Sequence, residues 1–175
     1  MVQSPVIVRV VRPDEIDELS LLAVRTFPLA CPPHTTAEDI ARHVSTMLSP
    51  RAFAADLASE AVFIEVADTG DALVGFTMLV SDCPPPDGPS GARPMELRRI
   101  YVDQDWHGTG VGHLLMASAL DRARALDHDQ VWLGTNQMNT SAIAFYRREG
   151  FQITGSKTFR VGGSVEHDHV LTRGL

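Results

Sequence analysis

The chain has two cysteines in 175 residues, Cys31 and Cys83, separated too widely for a metal-ligand spacing. A disulfide framework is not indicated, and two reduced thiols in a cytoplasmic protein are the expectation. No apolar run approaches the roughly 20 residues that a membrane-spanning helix needs. The first residues do not form a secretion signal, because Arg9, Arg12 and Asp14 interrupt any apolar core. Basic charge is scarce as well: 15 Lys and Arg stand against 22 Asp and Glu, a formal charge of −7. That argues against a nucleic-acid partner, which would call for a basic face. It permits a cationic substrate. Internal repeats are absent.

What remains is an ordinary globular composition, 44% hydrophobic and 21% charged, at a length that suits one domain over residues 1–175. Residues 6–11 alternate as a first strand. Pro13 and Asp14 suit the opening of a helix, and Ile16, Leu19, Leu22 and Ala23 recur at helical spacing. Pro28, Pro32 and Pro33 predict a loop. Thr36 is placed to cap a second helix striped by Ile40, Val44, Met47 and Leu48, and a short helix over 52–58 follows. Residues 61–67 and 73–80 read as a hairpin around the turn 68–71. The Pro- and Gly-rich stretch 84–94 predicts an irregular, mobile surface loop. Residues 95–102 form a strand and 109–126 a helix with Val111, Leu115, Ala119, Ala123 and Leu126 on its buried face. A short strand begins at 131–133. A helix capped by Asn139 or Thr140 ends at Gly150, and strands over 151–154 and 165–172 turn at Gly162-Gly163. The order predicts a mixed α/β fold: a mostly antiparallel sheet of about seven strands with about four helices on its two faces. Its strand–glycine loop–helix–strand unit is a parallel crossover.

The glycine loop is His107-Gly108-Thr109-Gly110-Val111-Gly112. Glycine lets a backbone turn its N–H groups toward a close ligand, and the helix behind adds unpaired N–H groups and a positive dipole end. That combination suits a phosphorylated ligand; the alternative is a strand-to-helix turn that binds nothing. A P-loop is excluded, because His113 and Leu114 stand where Lys and Ser/Thr should follow Gly112. A dinucleotide fingerprint fits poorly, because His113 stands where its third glycine should be.

The pattern His107-x-x-Gly110-x-Gly112 resembles the acyl-CoA signature Arg/Gln-x-x-Gly-x-Gly/Ala of the GNAT acyltransferase superfamily. A second block, Asn139-x-x-Ala142-x-x-Phe145-Tyr146-x-x-x-Gly150-Phe151, is similar to that superfamily's C-terminal motif. One helix and one strand separate the two blocks, as in the family, and the resemblance covers at least residues 95–154. The departure is His107, where the family has Arg or Gln. The C-terminal half is most similar to spermidine/spermine-type bacterial members. The resemblance implies an N-acetyltransferase that moves an acetyl group from acetyl-CoA to a primary amine by direct attack in a ternary complex. It implies no metal and makes a homodimer an expectation.

On that resemblance, His107, Gly108, Thr109, Gly110, Val111 and Gly112 hold the pyrophosphate. Backbone groups of Ile100, Tyr101 and Val102 pair with the pantetheine arm, and Asn139 contacts the cofactor, caps its helix, or both. Tyr146 is the matched general acid: a phenol with a pKa near 10 is protonated at neutral pH and can protonate a departing thiolate. Its alternative is a core aromatic beside Phe145. Strand alternation puts Glu96, Arg98, Ile100 and Val102 on one face, which makes Glu96 a candidate base; an ion pair with Arg98 or Arg99 is the alternative. Phe27, His34 and Phe159 are candidate lining residues of the acceptor pocket, against ordinary packing. His167 and His169 share a strand face, and the run 166–169 reads as a solvated or substrate-edge face more than a metal site. The acceptor is a small molecule, a polyamine or another small amine. The alternatives are a protein N-terminal or lysine acetyltransferase and a non-catalytic acyl-CoA-binding module.

Overall fold

The computed structural model describes residues 5–161 and 163–175, the side chains of Phe159 and Ser164 aside. After β1 (Ile7–Val10) a 3₁₀ turn at Pro13–Glu15 leads into α1 (Ile16–Ala30), α2 (Ala37–Met47) and α3 (Pro50–Leu57). The strands β2 (Val62–Asp68), β3 (Leu73–Ser81) and β4 (Pro94–Val102) follow. A second 3₁₀ turn, Gln104–Trp106, precedes α4 (Val111–Ala125), β5 (Gln130–Asn136), α5 (Thr140–Arg148), β6 (Gln152–Val161) and β7 (Ser164–Gly174). The seven strands form one sheet in the order β1-β2-β3-β4-β5-β7-β6, antiparallel except for the pair β4–β5. The expected mixed sheet is present; the described residues form five α-helices, because the short segment after Ser49 is a full helix.

Two apolar layers sandwich the sheet. On one side Leu19, Leu22, Ala23 and Phe27 of α1, with Leu48 and Phe53, pack against Ile64, Val66, Phe76 and Met78. On the other, Met116, Ala119, Leu120 and Ala123 of α4 pack against Leu79, Met95, Leu97, Val131 and Leu133. The i, i+3, i+4 spacing of the α4 residues produces this face. Glu65 is buried on the α4 side, where Ser118 Oγ (2.6 Å) and Arg122 Nε and Nη2 (3.0 and 2.7 Å) donate to its carboxylate. A buried charge needs such partners.

Local chemistry sets the element ends. Thr36 caps α2 by accepting from the Asp39 N–H at 3.1 Å, and Gly150 takes the left-handed φ of +85° that follows α5. Three sequence expectations are corrected. First, α1 runs through Pro28 to Ala30; a proline in the last turn removes one helical hydrogen bond and leaves the preceding turns intact. Second, β6 extends to Val161, well past residue 154, because an irregularity between Ile153 and Gly155 carries the strand through the glycine. Third, the segment before β4 is irregular but anchored. Trp132 Nε1 donates to the Cys83 carbonyl at 2.6 Å, and the N–H groups of Ala92 and Arg93 donate to Asp129 at 2.8 and 3.0 Å. The expected turn at Gly162-Gly163 includes Gly162, which lies outside the described residues.

The functional consequence is in the parallel pair. β4 and β5 are paired only at Pro94–Gln130, Met95–Val131 and Glu96–Trp132. Beyond Glu96 the strands diverge, and the β5-facing edge of β4 loses its strand partner. The splay opens a gap in the middle of the sheet, with the glycine loop at one end.

Candidate active site

The glycine loop joins the 3₁₀ turn to α4. Gly108 and Gly110 have φ of +76° and +95°, which L side chains rarely adopt. Thr109 Oγ1 ties the turn by donating to the Trp106 carbonyl at 2.7 Å. Leu114 N–H donates to the Gly110 carbonyl, so α4 begins cleanly there. Among the described residues, the backbone N–H groups of Gly110, Val111, Gly112 and His113 have no protein acceptor. They sit at the positive end of a 15-residue helix. Val111 is buried with Leu115 and fixes the first turn on the sheet. Gly112 has no steric need of its own: a Cβ there would meet Phe145 at an ordinary 3.6 Å. Its bare backbone instead lines a cleft of about 750 Å³ that runs along Ile100, Tyr101 and Val102 to Asn139 and Tyr146. Donors, dipole and cleft together fit a phosphorylated, elongated ligand.

His107 lines that cleft, with one ring nitrogen engaged by the protein. Its Nε2 lies 2.9 Å from the Val102 carbonyl, where the nitrogen is the donor. The ring therefore staples the loop to the end of β4. Asn139 caps α5: its Oδ1 accepts from the Ala142 N–H at 3.2 Å, and its side chain also lines the cleft.

A second cavity of about 340 Å³ opens on the α1–α2 side of the gap. Ala30, Ile100, Tyr101, Asn139, Ala142 and Tyr146 line both spaces, so Tyr146 stands where they meet. Its ring packs against Phe145 and Phe151 at centroid distances of 5.5 and 6.2 Å. Burial, with Tyr101 nearby, pushes its phenol above the ordinary value, so it is protonated at neutral pH. Tyr101 is raised likewise, to about 12.

Glu96 lines the second cavity, but not as alternation predicts. Met78 pairs with Arg99 and Leu79 with Leu97, so Arg98 is an extra residue in β4. This bulge shifts the phase of the strand. Ile100 and Val102 pack toward α4, whereas Glu96, lying between the α4-facing Met95 and Leu97, is on the opposite face. Arg98 donates to Glu96 Oε2 from Nε (3.0 Å) and Nη2 (2.7 Å), so the ion pair forms. Cys83 Sγ lies 3.6 Å from the same oxygen.

Phe27 lines the second cavity and stacks on His43 with centroids 4.3 Å apart. His34 does not line it. It is exposed, and its Nε2 sits 2.7 Å from Glu166 Oε1, which ties the α1–α2 connection to β7. The Phe159 side chain lies outside the described residues.

The run 166–169 is corrected in one respect. His167 is exposed, but Glu166 and Asp168 point inward, 4% and 5% exposed, and both line the cavity. Glu166 is engaged by His34 and by Asn136 Nδ2 at 3.2 Å. Asp168 Oδ1 is buried without a hydrogen-bond partner among the described residues. Burial pushes the Asp168 carboxyl up to about 6, with Lys157 opposing the rise. Lys157, the only lysine of the sequence, lies over the Trp132 ring at 5.3 Å. Its terminal carbon occupies the space a Cβ on Gly134 would need. Arg99, Lys157 and Asp168 line the cavity; the sequence pattern singles out neither Arg99 nor Lys157 as a site residue and gives Asp168 only within the run 166–169. Strand parity in β7 could have found Asp168; nothing local could have found the bulge that turns Arg99 inward.

No three His, Cys, Asp or Glu side chains are grouped to hold a metal ion among the described residues. No described helix is long and apolar enough to cross a membrane.

Residues 22–151 match the model of the acetyltransferase (GNAT) family. The chain is 39% identical over 161 residues to an uncharacterized N-acetyltransferase of Mycobacterium tuberculosis, covering 92% of this chain and 98% of that one. It is 36% identical over 90 residues to rat N-acetyltransferase family 8 member 2, covering 51% and 38% of the two. In fold it is similar to the PaiA N-acetyltransferase of Thermoplasma acidophilum, solved in complex with coenzyme A. That match has a TM-score of 0.80 at 15% identity and covers 98% of this chain and 99% of that one. The chain therefore belongs to the acetyltransferase (GNAT) family, whose fold binds acetyl-CoA, and it is an N-acetyltransferase.

Proposed function

We propose that the protein transfers the acetyl group of acetyl-CoA directly to the primary amine of a small molecule bound in the second cavity. The observation that carries this reading is Tyr146, which lines both the cleft beside the glycine loop and the cavity across the gap. In this reading the N–H groups of Gly110, Val111, Gly112 and His113, with the Gly108-Thr109 turn, hold the pyrophosphate. The unpaired edge of β4 from Leu97 to Val102 receives the pantetheine arm. The thioester then lies in the splay, facing the amine.

The chemistry needs a proton taken from the ammonium and a proton given to sulfur. The cavity offers three carboxylates for the first, of which Glu166 is engaged by His34 and Asn136. Glu96 is held by two donors of Arg98 and serves better to orient that arginine. Asp168 is the better base, because its carboxyl lies near the working pH and one oxygen is unpartnered. The free amine attacks the thioester carbonyl and the new C–N bond forms. The C–S bond breaks, Tyr146 protonates the leaving thiolate, and the nitrogen's second proton restores the Tyr146 phenol, while Asp168 passes the first proton to solvent. The products are the N-acetyl amine and CoA. Neither cysteine suits an acyl-enzyme route: burial raises Cys31 to about 11, and burial with Glu96 nearby raises Cys83.

The polyamine reading finds no surplus of negative charge in this cavity. Arg98, Arg99 and Lys157 balance Glu96, Glu166 and Asp168. Free thiol appearing from acetyl-CoA across a panel of spermidine, amino acids, lysine peptides and aminoglycosides tests the reading. Dependence on one amine class supports it. Tight acetyl-CoA binding with no thiol release from any amine would favour a non-catalytic module.

A further inference from the structure

The acceptor cavity contains two buried groups of opposite charge that the protein leaves incompletely satisfied. Arg99 is 7% exposed, and the hydrogen bond it makes among the described residues runs from Nη1 to Met78 Sδ at 2.9 Å. No described carboxylate comes within 4.0 Å of it. Glu96 is committed to Arg98, and Asp56 acts on Arg99 only at longer range. Thioether sulfur is a weak acceptor, so the guanidinium keeps most of its donors for something else. Asp168 is the counterpart: Lys157, its cross-strand neighbour, opposes it in charge, but Oδ1 is buried with no hydrogen-bond partner among the described residues. Burying a polar or charged group without hydrogen-bond partners is unfavourable, and a ligand that gives acceptors to Arg99 and a donor to Asp168 Oδ1 satisfies both.

The fold positions the two deliberately far apart in sequence. Arg99 points into the cavity because of the bulge at Arg98; without it, Arg99 would share the α4 face with Leu97. Asp168 comes from β7, opposite Asn136 of β5. The cavity at the gap is therefore lined by Arg99 from β4, beside the Arg98–Glu96 pair, and by Asp168 from β7, beside Lys157 of β6. A cavity of about 340 Å³ suits a compact molecule. A simple alkylamine would leave Arg99 unsatisfied, and a polycation would be repelled by it.

Building on the acetyltransfer reading above, we propose that the acceptor is a small amino carboxylate, with its carboxylate on Arg99 and its amine toward Asp168. A guanidinium and a carboxylate match as a two-pronged pair, which fixes orientation as well as affinity. Anchoring the carboxylate on β4 leaves the amine to face the thioester beside Tyr146.

The test compares amino acids with their own amides and decarboxylated amines, reading CoA release from acetyl-CoA by the wild-type protein. The expected result is a kcat/KM at least about tenfold higher for an amino acid than for its matched amine, in the range of a charged hydrogen bond. In Arg99→Met that ratio collapses toward one. Equal rates for amino acid and matched amine in the wild type would overturn the inference and leave the acetyltransferase reading standing. So would a preference that survives Arg99→Met. Absence of thiol release with every amine would overturn both. The wild-type comparison decides the matter even if Arg99→Met does not fold.

Discussion

Replacing Asp168 by Asn separates what the protein gives up for its site from what it gains. The carboxyl is raised from the usual 3.8 to about 6, first because burial penalises its charged form. The folded protein therefore holds the proton more tightly than the unfolded chain does. Below pH 3.8 both states are protonated and the group is neutral in the balance. As pH rises from 3.8 through about 6, the unfolded chain ionises first, and stability is lost. Each pH unit of such a shift corresponds to about 1.4 kcal/mol, so the difference amounts to about 3 kcal/mol above pH 6. Partial solvation of the group reduces this to about 2 kcal/mol. Asp168→Asn should therefore raise the unfolding free energy by about 1 to 2 kcal/mol at pH 8 and leave it unchanged near pH 4. Its turnover should fall by about 10²-fold or more, with loss of the rise in rate through pH 6. Urea unfolding at both pH values, alongside a pH–rate profile, measures the two effects on one variant. Destabilisation at pH 8, or a wild-type pH–rate profile in the variant, would refute the reasoning.

Tyr146→Phe keeps the ring between Phe145 and Phe151, so thermal unfolding should move little while kcat drops by about 10²-fold or more at saturating substrates. An unchanged kcat would remove Tyr146 from the chemistry. His107→Gln should bind acetyl-CoA with the wild-type affinity in calorimetry, because His107 uses its side chain on the Val102 carbonyl; a large drop would place the ring on the ligand. Gly110→Ala puts an L side chain at a φ of +95°, which costs about 1 to 2 kcal/mol. Its melting temperature and its acetyl-CoA affinity should fall together.

The glycine loop and the Tyr146 block are legible because each is local: neighbouring residues in one turn or one helix, at spacings the sequence displays. Helix faces are equally local: Val111, Leu115, Ala119 and Ala123 are buried as the 3.6-residue period selects, joined by Met116 and Leu120, while Leu126 is half-buried beyond the end of α4. The misreadings have a different origin. The strand phase in β4 follows from how β3 pairs with it, and an extra residue at Arg98 is invisible until the register is known. Glu166 and Asp168 alternate with two histidines in a wholly polar run, so the pattern fixes which residues share a face but not which face is inside. In the fold Glu166 is met by Asn136 and His34, which approach from distant parts of the chain. Pro28 reads as a break because its missing N–H is local, whereas its tolerance in the last turn of α1 depends on where the helix ends.

The most direct test of the account is a single incubation with isotopically labelled acetyl-CoA and a mixture of primary amines, with products read by mass spectrometry. The account predicts one acetyl label on the nitrogen of a small amine, equimolar with the CoA released, and loss of that product in Tyr146→Phe. Bound acetyl-CoA with no labelled amine, or label recovered on a protein cysteine, would contradict it.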